Sequence, residues 1–211
     1  AYSYFLSYSK DINSHHKIQA ILLGAPQEHG QRSSRLTPTE YNKYGVRYNK
    51  DLYTINGEQK NININYFHKP IASFNHYWTI NKTTSLTTSL YASFGHGGGS
   101  GPLGSYGSSV TRDSSNGILN MDSQLATNLA STTGSKYIIR NSVNNHTWYG
   151  GLTTLNKTFG EHIGVTLGLD ARTYKGEHFR EVRDLIGGKF YKDAMAPTAT
   201  IDGNSSSYWN V

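Results

Sequence analysis

Cysteine is absent from this 211-residue chain, which excludes a disulfide framework and any thiolate metal site. No apolar run approaches the ~20 residues of a membrane helix, and no signal-peptide pattern opens the sequence. Charge is sparse, at 16% of residues, and the excess of 20 Lys and Arg over 14 Asp and Glu gives a net +6. These basic residues are scattered rather than gathered on one face, which argues against nucleic acid as a partner. What is abundant is tyrosine (16), glycine (22), and the small polar residues Asn, Ser and Thr, with a mean hydropathy of -0.58. A polar, weakly charged, Tyr- and Gly-rich chain suits a secreted β-protein or a membrane barrel. Such barrels look hydrophilic on average because only alternate residues face lipid.

Strict alternation is the strongest local signal. Ile163, Val165, Leu167, Leu169 and Ala171 share one face, against Gly164, Thr166, Gly168, Asp170 and Arg172 on the other. Tyr2, Tyr4, Leu6 and Tyr8 alternate with serines, although Phe5 interrupts the polar set. Ala72, Phe74, His76, Trp78 and Ile80 form a third apolar set, and Leu86, Leu90, Ala92 and Phe94 a fourth. Lys17 to Leu23 and Thr147 to Leu155 read as strands with a less clear face. The pattern predicts antiparallel strands near 2–12, 17–24, 66–80, 85–95, 147–157 and 162–175, each paired with its sequence neighbour. They would be joined as hairpins by short polar turns at 13–16, 81–84 and 160–162.

The stretches between hairpins are long, about Gly24 to Asn65, Gly95 to Asn145, and from Gly176 onward. Short turns on one side and long loops on the other is the outer-membrane barrel pattern. Tyr8, Tyr77, Trp78 and Phe159 sit near the short turns, as a girdle at the membrane boundary would. On this reading the fold is all-β, an antiparallel transmembrane β-barrel with long extracellular loops. The lipid-facing residues would be Ile163, Val165, Leu167 and Leu169, with Gly164, Thr166, Gly168, Asp170 and Arg172 turned to the lumen. Six strands cannot close a barrel, so residues 1–211 are expected to be a partial barrel domain.

Chemical motifs are few. Nine histidines invite a metal, yet His15-His16 are adjacent on a turn and no metal-ligand spacing appears, so no metal and no cofactor are expected. No Gly-x-Ser-x-Gly elbow or nucleophile–base set is present, and the chain is not expected to be an enzyme. Gly95 to Gly101 lacks the Lys-Ser/Thr of a phosphate loop and reads as a flexible or tightly turned loop. The Asn-x-Ser/Thr triplets, Asn204 among them, are what this composition produces by chance. After Thr37-Pro38-Thr39 the spacing predicts a short helix capped by Thr37 or Thr39, with Tyr41, Tyr44 and Tyr48 on one face. Together with Arg32 and Arg47, these residues are candidates for a ligand-binding surface. The alternative is that the tyrosines anchor the loop. Arg180 is a further candidate, although Arg172, Arg180 and Arg183 are equally explained by pairing with Glu177, Glu181 and Asp184.

Several segments resemble TonB-dependent receptors of Bacteroidota-type bacteria. They are Gly24-Ala25-Pro26-Gln27-Glu28-His29-Gly30-Gln31-Arg32-Ser33, Tyr66-Phe67-His68-Lys69-Pro70, Ser89 to Gly95 with its glycine run, Trp148-Tyr149-Gly150, and Gly168 to Val182 followed by Asp184-Leu185-Ile186-Gly187-Gly188. The resemblance implies a 22-stranded barrel enclosing a plug, ligand capture at the extracellular mouth, and energy supplied through TonB. This chain would hold about six of those strands, with the plug, the remaining strands and the TonB-contact segment absent from it. It implies a bacterial cell outer-membrane location and uptake of a scarce nutrient such as a siderophore, haem, oligosaccharide or peptide. The implied partners are outer-membrane lipid, the protein's own plug domain, TonB through the absent region, and a surface lipoprotein or other envelope protein. The alternative function is a passive porin-like channel or a structural barrel component of a larger envelope complex.

Overall fold

Hairpins with short polar turns organise the chain. In the computed structural model, which describes residues 2–193 with the backbone of 200–202 and 209–210, strand makes up 61% and helix 8%. The fold is all-β and mostly antiparallel, and its main sheet is not closed. In chain order the elements begin with β1 (Tyr4–Asp11), β2 (His16–Gly24), β3 (Gln27–Gly30), α1 (Pro38–Tyr44), β4 (Leu52–Ile55) and β5 (Glu58–Asn61). There follow β6 (Ile64–His68), β7 (Ile71–Asn81), β8 (Thr84–Gly104), β9 (Thr111–Arg112), β10 (Leu119–Asn120) and α2 (Asp122–Ala130). The last are β11 (Tyr137–Phe159), β12 (Ile163–Asp184), β13 (Phe190–Lys192), β14 (Thr200–Asp202) and β15 (Trp209–Asn210). The Asn204 triplet lies outside the described residues.

Two compact units share these strands. The first comprises Ala1–Gln27, Phe67–Gly97 and Asn144–Glu177, and the second Glu28–Tyr66, Gly98–Val143 and His178–Val211. In the first unit the hydrogen-bonded order is β1-β2-β7-β8-β11-β12. Those are the six expected strands, each beside its expected neighbour. Asn side chains close the short turns. Asn13 Oδ1 accepts from the His15 and His16 amides at 2.8 and 3.0 Å, and Asn81 Oδ1 from the Thr83 amide at 3.0 Å. Such local side-chain bonds favour turn over ladder.

The expected bounds need correction at four places. The span 66–80 is broken at Lys69-Pro70, because proline supplies no N–H to the ladder. The glycine run is strand: β8 continues to Gly104. It is glycine there for closeness, since a Cβ on Gly98 would sit 2.5 Å from the Ser142 carbonyl and 2.9 Å from the Tyr66 hydroxyl. β11 begins at Tyr137 and β12 runs to Asp184, so both are longer than expected. The stretch from 24 to 65 is folded, with a β4–β5 hairpin turned by Asn56-Gly57, both at positive φ.

The second unit has a core of Tyr53, Ile55, Ile62, Val110, Leu119, Met121, Tyr137, Ile139 and Ile186, with Leu125 packed against it. β4, β5, β9 and β10 make a small sheet beside it. α2 buries Gln124 and Asn128, and both are satisfied. The Asn128 amide donates to the carbonyls of Tyr137, Leu185 and Ile186 at 3.0–3.1 Å and accepts from Gln124 at 2.8 Å. Gly117 has φ +74, and a Cβ there would meet the Tyr48 ring at 2.8 Å. Gly117→Ala is therefore expected to destabilise this unit by about 1–3 kcal/mol. An unchanged midpoint in a urea melt followed by tyrosine near-ultraviolet dichroism would contradict it.

Candidate functional site

The first unit has two faces of opposite character, and strand register assigns every residue to one of them. Tyr8 pairs with Ala20, Ala20 with Phe74, and Phe74 with Leu90, while His16 pairs with Trp78 and Trp78 with Leu86. The Thr88 and Thr153 hydroxyls, 2.9 Å apart, carry that face onto β11. Thr166 donates to Asn156 Oδ1 at 2.8 Å, which puts those two on the opposite face and leaves the odd residues of β12 with the apolar set. The four apolar sets legible in the sequence are thus one surface. Leu6, Leu22, Phe74, Leu90, Tyr149, Leu167 and Leu169 on it are 41–66% exposed. Ile163 (60%) and Val165 (37%) belong to it as well.

The other face is hydrogen-bonded across strands. Gln19 donates to Ser7 and accepts from Asn75 and Tyr77, and Ser89 donates to Asn75 at 2.6 Å. Further along, the Tyr91 hydroxyl donates to Asp170 at 3.3 Å. Phe5, Ile21, Leu23 and Leu152 interrupt this face without removing its polar character. Among the described residues no hydrophobic side chain of the first unit is buried, and every one of the buried hydrophobics belongs to the second. Transferring the exposed apolar face out of water is worth on the order of 10–20 kcal/mol. That rivals the whole net stability of a domain, about 5–15 kcal/mol.

The loop candidates lie in the second unit. Thr37 caps α1 in a capping box with Glu40, and Pro38 occupies the first turn. The helix ends at Gly45, so Tyr48 is not on its face with Tyr41 and Tyr44; the chain turns back there instead. Tyr48 is buried, packs its ring at a tilt against Tyr44 with centroids 4.6 Å apart, and donates to the Gly117 carbonyl at 2.8 Å. The Arg32 guanidinium donates to the carbonyls of Val46 and Tyr48 and lies 5.9 Å over Tyr41. Arg32, Tyr41, Tyr44 and Tyr48 are thus brought together, with Arg32 and Tyr48 tying the loop down and Tyr41 and Arg47 exposed. Arg180 stands apart from them on β12. The expected pairings of its neighbours are replaced: Arg183 pairs with Glu28 at 2.9 Å and Glu177 with Lys175 at 2.8 Å.

Sequence reasoning missed a cavity of about 540 Å³ in the same unit, lined among others by Lys50, Asp51, Asn63, Tyr106, Arg112 and Tyr137. Its charges are already satisfied. Lys50 pairs with Glu40 at 2.7 Å, Asp51 accepts from the Ser33 and Ser34 amides, and Arg112 donates to the Lys50 and Gly117 carbonyls. What remains for a guest is aromatic edge, and burial pushes the Tyr137 hydroxyl up to about 12. No sequence motif marks this cavity, because its lining comes from seven separate stretches of chain. His16 and His76 share a hydrogen bond of 3.0 Å beside Trp78. No group of three His, Asp or Glu able to hold a metal occurs among the described residues. Comparison with known proteins finds no matching family model, no similar curated protein and no similar solved structure.

Two outcomes follow for the loop. Tyr48→Ala should cost about 3–5 kcal/mol in a urea melt, whereas Tyr41→Ala should change it by less than about 0.5 kcal/mol; equal effects would refute the anchoring role. The Lys50 ammonium and the Thr37 amide hold the Glu40 carboxyl down from 4.5 to about 2. A lowered carboxyl stabilises above its ordinary value and loses that contribution as pH falls through the lowered one. Near-ultraviolet dichroism of the loop tyrosines should therefore decline between pH 4.5 and 2. Glu40→Gln should flatten that decline.

Proposed function

We propose that this chain is part of the wall of an outer-membrane β-barrel, and that the barrel is a receptor for TonB-dependent uptake of a scarce nutrient. The observation that carries the barrel reading is a six-stranded sheet with an exposed apolar face and no core of its own. Water cannot cover such a face at an acceptable free energy, and hydrocarbon can. The dimensions agree. From Ile163 to Ala171 a strand rises roughly 27 Å, or about 21 Å along the membrane normal at a tilt near 40°, close to the ~25 Å apolar band of such barrels. Tyr8, Trp78 and Phe159 edge this face at the short turns, and Phe94 and Tyr149 edge it at the far end.

The wall needs more strands than these. The outer edge of β1 carries no partner among the described residues, nor does that of β12 before Phe179. A sheet in lipid cannot leave an edge unpaired, so further strands must continue it. The polar face, with Gly164, Thr166, Gly168, Asp170 and Arg172, is the lumen lining in this reading. The receptor reading rests on the sequence motifs quoted above. It is also favoured by β8, β11 and β12, whose 21–23 residues exceed the ~9–11 needed to cross hydrocarbon. The long connections depart from the strand ends opposite the short turns, as the extracellular loops of such barrels do.

The test is asymmetry between neighbouring residues. Leu167→Arg should impair insertion of the intact protein into lipid vesicles, because an arginine at the midplane on the lipid side costs about 2–4 kcal/mol. Thr166→Arg should insert like the wild type. Equal insertion of the two variants would end the membrane assignment of this face. A cysteine placed at 167, but not one at 166, should react with a lipid-soluble thiol reagent.

A further inference from the structure

Arg140 on β11 and Arg180 on β12, both in the second unit, lie close enough for their charges to interact, and among the described residues neither forms an ion pair. The Asn141 amide donates to Glu181 Oε1 at 2.8 Å, which sets 141 opposite 181 on the antiparallel pair β11 and β12. Ser142 then stands opposite Arg180, and Arg140 lies one step further along that same face. This is a diagonal pair, within reach for side chains as long as arginine. Arg140 Nη1 donates to Ser142 Oγ at 2.7 Å. Burial, and then the charge of Arg180, pull the Arg140 guanidinium below its ordinary range. The Nε atoms of Arg140 and Arg180 are both buried and have no hydrogen-bond partner.

Like charges brought together and partly desolvated are costly unless something negative joins them. The nearby carboxylates are committed elsewhere. Glu181 is on the opposite face and holds Asn141, Glu28 pairs with Arg183, and Asp184 accepts from the Ile186 amide at 2.7 Å. Asp193 acts on Tyr191 in the sense opposite to Arg180, and even counted in full it leaves one of the two positive charges uncompensated among the described residues. A merely solvated pair would keep its Nε groups in water, and this one does not. Across the face, a Cβ on Gly101 would lie 3.5 Å from the Arg140 guanidinium, so glycine there leaves the floor of the site low.

We infer that Arg140 and Arg180 form a binding site for an oxyanion, the phosphate or carboxylate group of a ligand, with Ser142 orienting Arg140. Planar guanidiniums present paired N–H donors that match either group. The inference depends on the second unit alone and stands apart from the barrel reading. It is tested by isothermal titration of the intact protein in detergent micelles at low salt, with inorganic phosphate and with tricarballylate as separate probes. Saturable binding of either probe is expected, and the one that binds identifies the group recognised. Arg140→Gln and Arg180→Gln should each weaken it about tenfold or more, while Arg35→Gln, an exposed arginine of the same unit, should not. Should a glutamine variant fail to fold, Arg180→Lys, which keeps the charge and loses the paired donors, should still weaken binding. No saturable binding of either probe by the wild type, or binding unchanged in the Arg140 and Arg180 variants, would overturn the site.

Discussion

An apolar sheet face has to be covered by something apolar, and among the described residues of the first unit nothing does so. Soluble domains solve this by packing a second layer, a helix or another sheet, against the first. Here α1 and α2 both belong to the second unit. The polar face is equally informative. Its side chains hydrogen-bond from strand to strand, from Ser7 through Gln19 to Asn75 and Ser89, so it is not a core awaiting a partner. One face meets hydrocarbon and the other meets water or a polar guest, and the sheet needs both conditions at once.

The second unit obeys the opposite rule and looks like an ordinary soluble fold. It closes a core around Tyr53, Met121, Tyr137 and Ile186. Asn128, Tyr48 and Arg112 make hydrogen bonds that satisfy backbone carbonyls inside it. Its helices are too short to be stable alone, so capping by Thr37 and packing of α2 carry them. The Arg140 and Arg180 Nε atoms on β11 and β12 are among the buried side-chain atoms of this unit that make no hydrogen bond, as are Ser123 Oγ and Asn141 Oδ1, and they alone among these four carry charge of one sign on one face.

Legibility in the sequence followed from how local each signal was. The period-two pattern of β12, the Asn-rich turns and the Thr37–Glu40 cap are written within ten residues and were readable. The faces of β2 and β11 were not, because Ala20, Leu22 and Tyr149 become apolar partners only through cross-strand register. Beyond 175 the strand pattern of β12 is lost, because Glu177, Arg180, Glu181, Arg183 and Asp184 put charge on both faces and erase the alternation. The Asn56-Gly57 turn is an equally local signal, set within a long polar stretch. Among the candidate site residues, Tyr48 was misplaced by helical spacing that Gly45 terminates. Arg140 carries no motif at all, and only the pairing of 141 with 181 gives it significance.

Tryptophan offers the most direct measurement of the central claim, since the sheet carries one on each face. Trp78 lies on the apolar face opposite Leu86, and Trp148 on the polar face, edge-on to Tyr91 at 5.6 Å. With Trp209→Phe as background, the intact protein bearing Trp78 or Trp148 alone would be placed in vesicles of brominated phospholipid. Strong quenching of Trp78 and little of Trp148 is the predicted result. Equal quenching of both, or quenching of neither, would contradict a sheet with one face in lipid.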